Sequence, residues 1–512
     1  MSVIVIQDKK VLVVSSQDRN TILNAIPTAK PARENLVLVP HRQEETTVLR
    51  NLGIQVPEPI LYYYNWPAPF KPMAHQTATS AFLTSHKNCI VLNDMGTGKT
   101  QSAIWAADYL MSQGLIKRVL IVSPLSTMNT TWGDAIFASL IGKKYAVLHG
   151  TAEKRRKLLK TDAQYFIVNH DGFEIIAKDA AGMFDLVIYD EADALRNPST
   201  DRFRFFRKYM DDNLDCRLWL MTGTPTPNEP TDAWALAKLA KSPSLDATYT
   251  GFRDRVMMKL GKWNHVPRPN SPEIVAKVLN PAIRYELKDC VDLPEVIYTT
   301  RKVELSDEQK KAYKAMMKHL VIEAESGDIT AANEAVKAQK LVQIACGVVY
   351  DEKGQAIEIN SKPRIDELKD CIQQINGKAI IFVPLTGVSD MLARELRKKY
   401  KVAVVKGDTS LNKRTEIFFD FQNTDKVNII VAHPQTMSHG LTLTSAKAII
   451  WYGPITSNGQ YTQANARTER IGKKHTTMVI HFEATDLEQR MFTRLRNKQK
   501  LQGVLLDILG EK

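Results

Sequence analysis

Cysteine is scarce in this 512-residue chain, and Cys89, Cys216, Cys290, Cys346 and Cys371 stand singly with no C-x-x-C pair. That scatter excludes the common zinc-ribbon and disulfide frameworks and leaves buried, reduced thiols as the expectation. Long apolar runs are missing too. No stretch approaches the roughly 18–20 apolar residues that span a bilayer, so no membrane partner is expected. The start, Met1-Ser-Val-Ile-Val-Ile-Gln-Asp8, lacks a basic segment followed by an apolar one. A secretory leader is therefore not expected, and a cytoplasmic address is. Fixed-period repeats and low-complexity tracts are also lacking, which excludes solenoids and disordered scaffolds.

What is present is ordinary globular material, 44% hydrophobic and 24% charged. At this length the chain should divide into two or three cores. The formal charge of +13 favours a polyanionic partner, because Lys and Arg that neutralise phosphates gain from counterion release.

Hydrophobic texture predicts the organisation. Val3–Ile6, Val11–Val14 and Leu36–Val39 are short β-rich runs between polar turns, read as a small accessory α+β domain over 1–65. The aromatic, proline-rich stretch Pro57–Phe70 reads as a linker or docking strip. From 66 to 250, continuous apolar runs (89–93, 118–123, 165–169, 186–190, 218–222) alternate with helical patterns. That is the texture of a parallel sheet covered on both faces. A charged helical region, strongest over 306–345, occupies 251–360. A second α/β series over 361–512 has strand-like runs at 379–383, 402–405, 427–431, 448–452 and 478–482. The expected fold class is α/β, with two tandem lobes on parallel sheets, a helical insert between them and the N-terminal accessory piece.

Asn93-Asp-Met-Gly-Thr-Gly-Lys-Thr100 follows the first buried strand and precedes a helical segment. Gly96 and Gly98, with Thr97 between them, let the backbone point several N–H groups at one anion, and the helix start adds a favourable dipole. Lys99 suits the β- and γ-phosphates of ATP, and the Thr100 hydroxyl suits Mg²⁺. Asn93 stands where the strict phosphate-loop pattern has its first glycine. Asp190-Glu-Ala-Asp193 ends another strand. There Asp190 suits the metal's water shell, and Glu191 suits orientation or deprotonation of an attacking water.

With these motifs in place, the stretch from His75 to Arg494 resembles the superfamily-two helicases, and within them the Swi/Snf-type ATPases. Asp94–Thr100 is similar to their D-x-M-G-x-G-K-T segment. Val122-Ser-Pro-Leu-Ser126 with Trp132 resembles P-L-S…W, and Thr222-Gly-Thr-Pro225 with Asn228 and Trp234 resembles T-G-T-P…N…L-W. Lys406-Gly-Asp-Thr-Ser410, His439-Gly-Leu-Thr-Leu-Thr444 and Gln463-Ala-Asn-Ala-Arg467-Thr-Glu-Arg470-Ile-Gly472 resemble the second-lobe motifs. Asp193 departs from the His usual in Swi/Snf relatives.

The resemblance implies two RecA-like lobes and ATP hydrolysis coupled to movement on duplex or branched DNA without sequence reading. It implies that Gln76 reads the adenine edge, that Gln463 lies at the nucleotide, and that Arg467 and Arg470 stabilise transition-state charge. Read as helical, those arginines are three residues apart and share a face. Ser123, Asn129, Asn169, Asp408, Ser410 and Thr442 are the DNA contacts carried over from the motif positions. The compact length is that of a phage or bacterial version, and a monomer is expected. A strand-separating DNA or RNA helicase and an ATP-switched nucleic-acid clamp are the competing readings.

Overall fold

The computed structural model describes residues 2–497 except 18, 34, 68, 70, 227–228, 261–264, 293, 326–330, 352, 438–442, 470–472 and 474, and omits the side chains of 2 and 319–335. The chain divides into two compact units, Met1–Cys290 and Val291–Lys512.

The first unit opens with a four-stranded antiparallel sheet, ordered Ser2–Ile6, Val11–Ser15, Leu36–Pro40, Lys30–Pro31. Alternation decides its faces. Leu12, Val14, Val37 and Val39 point one way and bury themselves with Ile22 and Leu49, from the helices Arg19–Ala25 and Gln43–Asn51. The aromatic strip then docks rather than hangs. Ile60 packs with Ala81 and Tyr109, Trp66 meets Trp105 edge-on at 5.5 Å, and the Tyr64 hydroxyl donates to Asp108 at 2.9 Å.

A seven-stranded sheet follows, every pairing parallel, ordered Ala282–Ile283, Asn88–Val91, Arg217–Met221, Leu186–Asp190, Val119–Ser123, Tyr165–Asn169, Tyr145–Val147. The middle strands read as unbroken apolar runs because each face meets its own buried cluster, one around Leu120, Val187 and Leu220 and the other around Ile121, Ile188 and Trp219. The two outer strands are two and three residues long, too short for periodicity to reveal. Ala282–Ile283 carries sheet membership past residue 250, beside the strand that leads into the phosphate loop.

The second unit holds a six-stranded, all-parallel sheet, ordered Val296–Lys302, Thr477–Glu483, Ala448–Trp451, Ala379–Phe382, Ile429–Ala432, Val402–Val405. The strand Val296–Lys302 escaped the sequence reading because it lies at an edge and carries Thr299, Thr300, Arg301 and Lys302. The charged region forms the helices Asp307–Glu325 and Ala331–Cys346. Their junction with the sheet is capped reciprocally. The Ser306 hydroxyl accepts the Gln309 amide N–H, and the Gln309 carboxamide accepts the Ser306 N–H, each at 3.1 Å. The Gln309 Nε2 also donates to the Ile344 and Ala345 carbonyls at 2.8 and 3.0 Å. Among the described residues no helix is long and apolar enough to cross a membrane, and the five cysteines are free thiols, four of them buried.

Candidate functional site

The motifs of the first unit converge because parallel strands bring their carboxyl ends to one edge. Register sets Val91 beside Met221, Met221 beside Asp190, and Ser123 beside Asn169. The loops after these strands are therefore neighbours although the chain separates them by tens of residues.

The phosphate loop turns between Asn88–Val91 and the helix Lys99–Ser112. Gly96 and Gly98 take φ of 84° and 83°, the left-handed region where a side chain is costly. A Cβ on Gly98 would also lie 2.2 Å from the Gln76 side-chain nitrogen. The Thr97 carbonyl accepts His75 Nε2 at 2.8 Å and Gln76 Nε2 at 3.2 Å, and its hydroxyl donates to the Asp94 carbonyl at 2.8 Å. Thr97 is thus a buried strut, and Gln76 spends half its hydrogen-bonding capacity inside the protein, its Oε1 accepting the Met73 N–H at 3.0 Å. Lys99 Nζ rests on the Asn93 and Asp94 carbonyls, at 2.7 and 3.0 Å, and lies close enough to Asp190 to favour that residue's charged form.

Asn93, the departure from the strict pattern, has a physical reason. It is 1% exposed and donates to Thr79 Oγ1 at 2.9 Å, while its Oδ1 accepts the Tyr285 N–H at 3.0 Å. Asp94 Oδ2 accepts the Leu287 N–H at 3.1 Å. The base of the loop is therefore braced by side chains to the edge segment that follows Ala282–Ile283.

Asp190 ends its strand almost fully buried. Its Oδ2 accepts the Trp132 indole N–H at 2.9 Å, and its Oδ1 accepts the Glu191 amide N–H at 3.1 Å. Burial first, and then the Glu191 carboxylate, push the Asp190 carboxyl well above the usual carboxylate range; the same two causes raise Asp193. Glu191 takes φ of 50°, a strained conformation typical of functional turns. Two adjacent carboxylates, a hydroxyl at Thr100 and the Lys99 ammonium form a donor set that fits a divalent cation and a triphosphate, and the glycines leave a cradle that a Cβ would fill.

Sequence reasoning missed Trp132 as a partner of this site. It lies in a π-turn, Met128–Gly133, and is fully buried. The segment that resembles a strand-contacting motif is therefore tied to Asp190 by one hydrogen bond. The motif match singled out Trp132 but not its partner, and helical periodicity does not show a π-turn. His170 was missed as well; its Nε2 pairs with the Asp190 carbonyl at 2.9 Å.

Two expectations are corrected. Ser123 is fully buried, so its side chain is withdrawn from direct contact with a strand. The helix carrying Gln463 ends at Asn465, so Arg467 lies in the turn beyond it rather than on that helix. The Thr97 carbonyl and hydroxyl are both held inside the protein, by His75, Gln76 and Asp94. Gln463 and Arg467 are buried in the second unit. Asn129 and Asp408 are exposed, as is Ser410, whose hydroxyl caps the helix Leu411–Asn423 by accepting the Lys413 N–H at 3.4 Å. Asn169 Oδ1 accepts Arg155 Nη1 at 3.1 Å. Arg470, Thr442 and Asn228 lie outside the described residues.

A glycine-bent anion loop and an adjacent carboxylate pair at the carboxyl edge of one parallel sheet, followed by a second parallel sheet, define a nucleotide hydrolase with two RecA-like lobes. Residues 7–347 match the SNF2-related domain and residues 363–472 the helicase conserved C-terminal domain. The chain belongs to the SNF2-related family of superfamily-two ATPases. It is 26% identical to protein p41 of Acyrthosiphon pisum secondary endosymbiont phage 1, over 86% of this chain and 99% of that one. It is 24% identical to the ATP-dependent DNA helicase DDM1 of Arabidopsis thaliana, over 82% of this chain and 59% of that one. Among solved structures, S. cerevisiae Dbp5 bound to RNA and ADP BeF3 shares the fold, with a TM-score of 0.52, 13% identity, and coverage of 84% and 88% of the two chains.

Proposed function

We propose that this ATPase is a motor that translocates on duplex or branched DNA without reading sequence, as a monomer in the cytoplasm. One observation carries the catalytic half of the reading: Lys99, Thr100, Asp190 and Glu191 share the carboxyl edge of one sheet, with Lys99 near enough to Asp190 to act on its charge. The DNA half is supported by the +13 charge and by the similarity to a protein described as an ATP-dependent DNA helicase.

In this reading the Gly96–Thr100 turn holds the phosphates through backbone N–H groups, and Lys99 neutralises their charge. Thr100 and Asp190 hold Mg²⁺, which when bound screens the phosphate oxygens. Glu191 orients the attacking water. Gln76 meets the adenine with its remaining hydrogen-bonding capacity, Gln463 lies at the nucleotide, and Arg467 and Arg470 stabilise the charge that develops at the γ-phosphate. Trp132 holds Asp190 in the orientation that the metal requires. Asn129, Asn169, Asp408, Ser410 and Thr442 contact the strand.

A Glu191→Gln variant should keep ATP affinity within about two-fold and lose DNA-stimulated turnover by about 10²-fold or more. Unchanged turnover rejects the assignment of Glu191. ATPase rates measured side by side with duplex, forked and single-stranded DNA and with RNA should be highest on duplex or forked DNA. Displacement of a triplex strand without unwinding of a simple duplex should accompany them, and stimulation by RNA alone overturns the DNA reading.

A further inference from the structure

Beside the strand that carries Asp190, the first unit contains a cavity of about 380 Å³ whose lining includes none of the residues assigned to hydrolysis. It opens between the helices His170–Ile176 and Asp201–Asp212 and reaches the last apolar residue of the central strand, Tyr189. Rings line it: His170, Phe173, Tyr189, Phe205 and Phe206. At its rim Arg202 is paired with Asp171 at 2.6 Å, with Glu174 exposed nearby.

One polar group inside is conspicuous. Tyr189 is 1% exposed, and its hydroxyl finds no hydrogen-bond partner. A buried hydroxyl left unpaired is destabilising, and such groups are uncommon in folded proteins. The cavity supplies the space in which a partner atom would stand.

The chemistry narrows the occupant. An anion meets Asp171 and Glu174 and finds only Arg202, whose charge Asp171 already offsets. An aliphatic group fills space but leaves the Tyr189 hydroxyl unpaired. A simple cation finds the Tyr189 face covered, because His170 stacks on it at 4.9 Å and 14°. A flat, aromatic group with hydrogen-bonding edges matches the lining best: the partly exposed Phe205 ring offers a face, the Tyr189 phenol a hydrogen-bonding group, and Glu174 and Arg202 an acceptor and a donor.

We propose that this cavity is a binding site for a nucleobase, supplied by a free nucleoside or by a base of a bound strand. Its wall is wired to the hydrolysis site. His170 Nε2 pairs with the Asp190 carbonyl, and Tyr189 directly precedes Asp190, so an occupant presses on the backbone that carries the carboxylates. Only the strand-borne source rests on the DNA-motor reading.

The test uses the full chain saturated with ADP and Mg²⁺, so that the phosphate-loop site is filled. The probes are free 2-aminopurine riboside and a single-stranded oligodeoxynucleotide carrying one 2-aminopurine and an anisotropy label at its end. Stacking in the cavity should quench one of the two probes. Tyr189→Phe and Phe205→Ala should each weaken that quenching about five-fold or more, in line with stacking and hydrogen-bond losses of this kind. Tyr189→Phe should also hold or raise the urea midpoint, since it removes an unpaired hydroxyl; a lowered midpoint shows that the hydroxyl has a structural partner and overturns the site. Quenching that neither variant alters, or absence of quenching from both probes, overturns it too. If the riboside is quenched while the oligonucleotide fails to bind by anisotropy, the cavity stands and the DNA motor falls.

Discussion

Gly98 shows how tightly single residues are held here. Its φ of 83° and the 2.2 Å approach of Gln76 to a hypothetical Cβ act separately on any substitution. Gly98→Ala should abolish nucleotide binding, measured with a fluorescent ATP analogue. Adding Gln76→Ala should relieve the clash but not the backbone strain, so stability returns in part and affinity does not. Trp132 makes a subtler case. Trp132→Phe keeps the ring packing and removes only the N–H that Asp190 accepts. DNA affinity and ATP affinity should stay within about two-fold, while the DNA-stimulated kcat falls about ten-fold, near the value of one charge-assisted hydrogen bond. Equal losses in binding and turnover would reduce Trp132 to a packing residue.

Elements are joined by side chains that the local pattern does not announce. In the second unit Arg364 and Glu488 are both fully buried, and their paired atoms lie 2.8 Å apart. The Arg364 guanidinium also donates to the Ala345, Tyr452 and Phe482 carbonyls. It thereby ties the end of the helical insert to the ends of two sheet strands and to the helix Asp486–Arg496. Arg364→Met should destabilise this unit by about 3–5 kcal/mol, because it strands the Glu488 charge. Arg364→Met combined with Glu488→Leu should recover most of that loss. Hydrogen exchange in the strand Ala448–Trp451 reports the difference, and a double variant no better than the single one rejects the charge explanation.

At the scale of the whole molecule, acid should loosen the second unit through His481. This ring is fully buried, pairs with the Tyr461 hydroxyl at 2.8 Å and stacks on Phe492 at 4.2 Å. Burial, with help from Arg496, pushes its pKa down to about 3 from 6.5. The unfolded chain therefore takes up a proton below pH 6.5 that the folded chain refuses. The stability contribution is whole above pH 6.5 and drains away as pH falls toward 3, by about 2 kcal/mol at pH 5. Urea titrations at pH 7 and pH 5 should show this slope, and His481→Gln should flatten it while costing stability at pH 7. An unchanged slope in the variant moves the acid sensitivity elsewhere.

The central strands of both sheets, the phosphate loop and the Asp190-Glu191 pair were legible in the linear chain. Burial on both faces writes unbroken apolar runs, and anion binding demands glycine, lysine and a hydroxyl at fixed offsets. The short edge strands Ala282–Ile283 and Tyr145–Val147 were not legible, because two or three residues carry no period. Nor was the fate of Ser123, since the same Pro-Leu-Ser neighbourhood serves a buried or an exposed hydroxyl. Asn93 against Tyr285, Trp132 against Asp190 and His170 behind it were decided only in three dimensions. Their partners lie 20 to 192 positions away, and sheet packing alone, which no local pattern encodes, brings them within hydrogen-bonding distance.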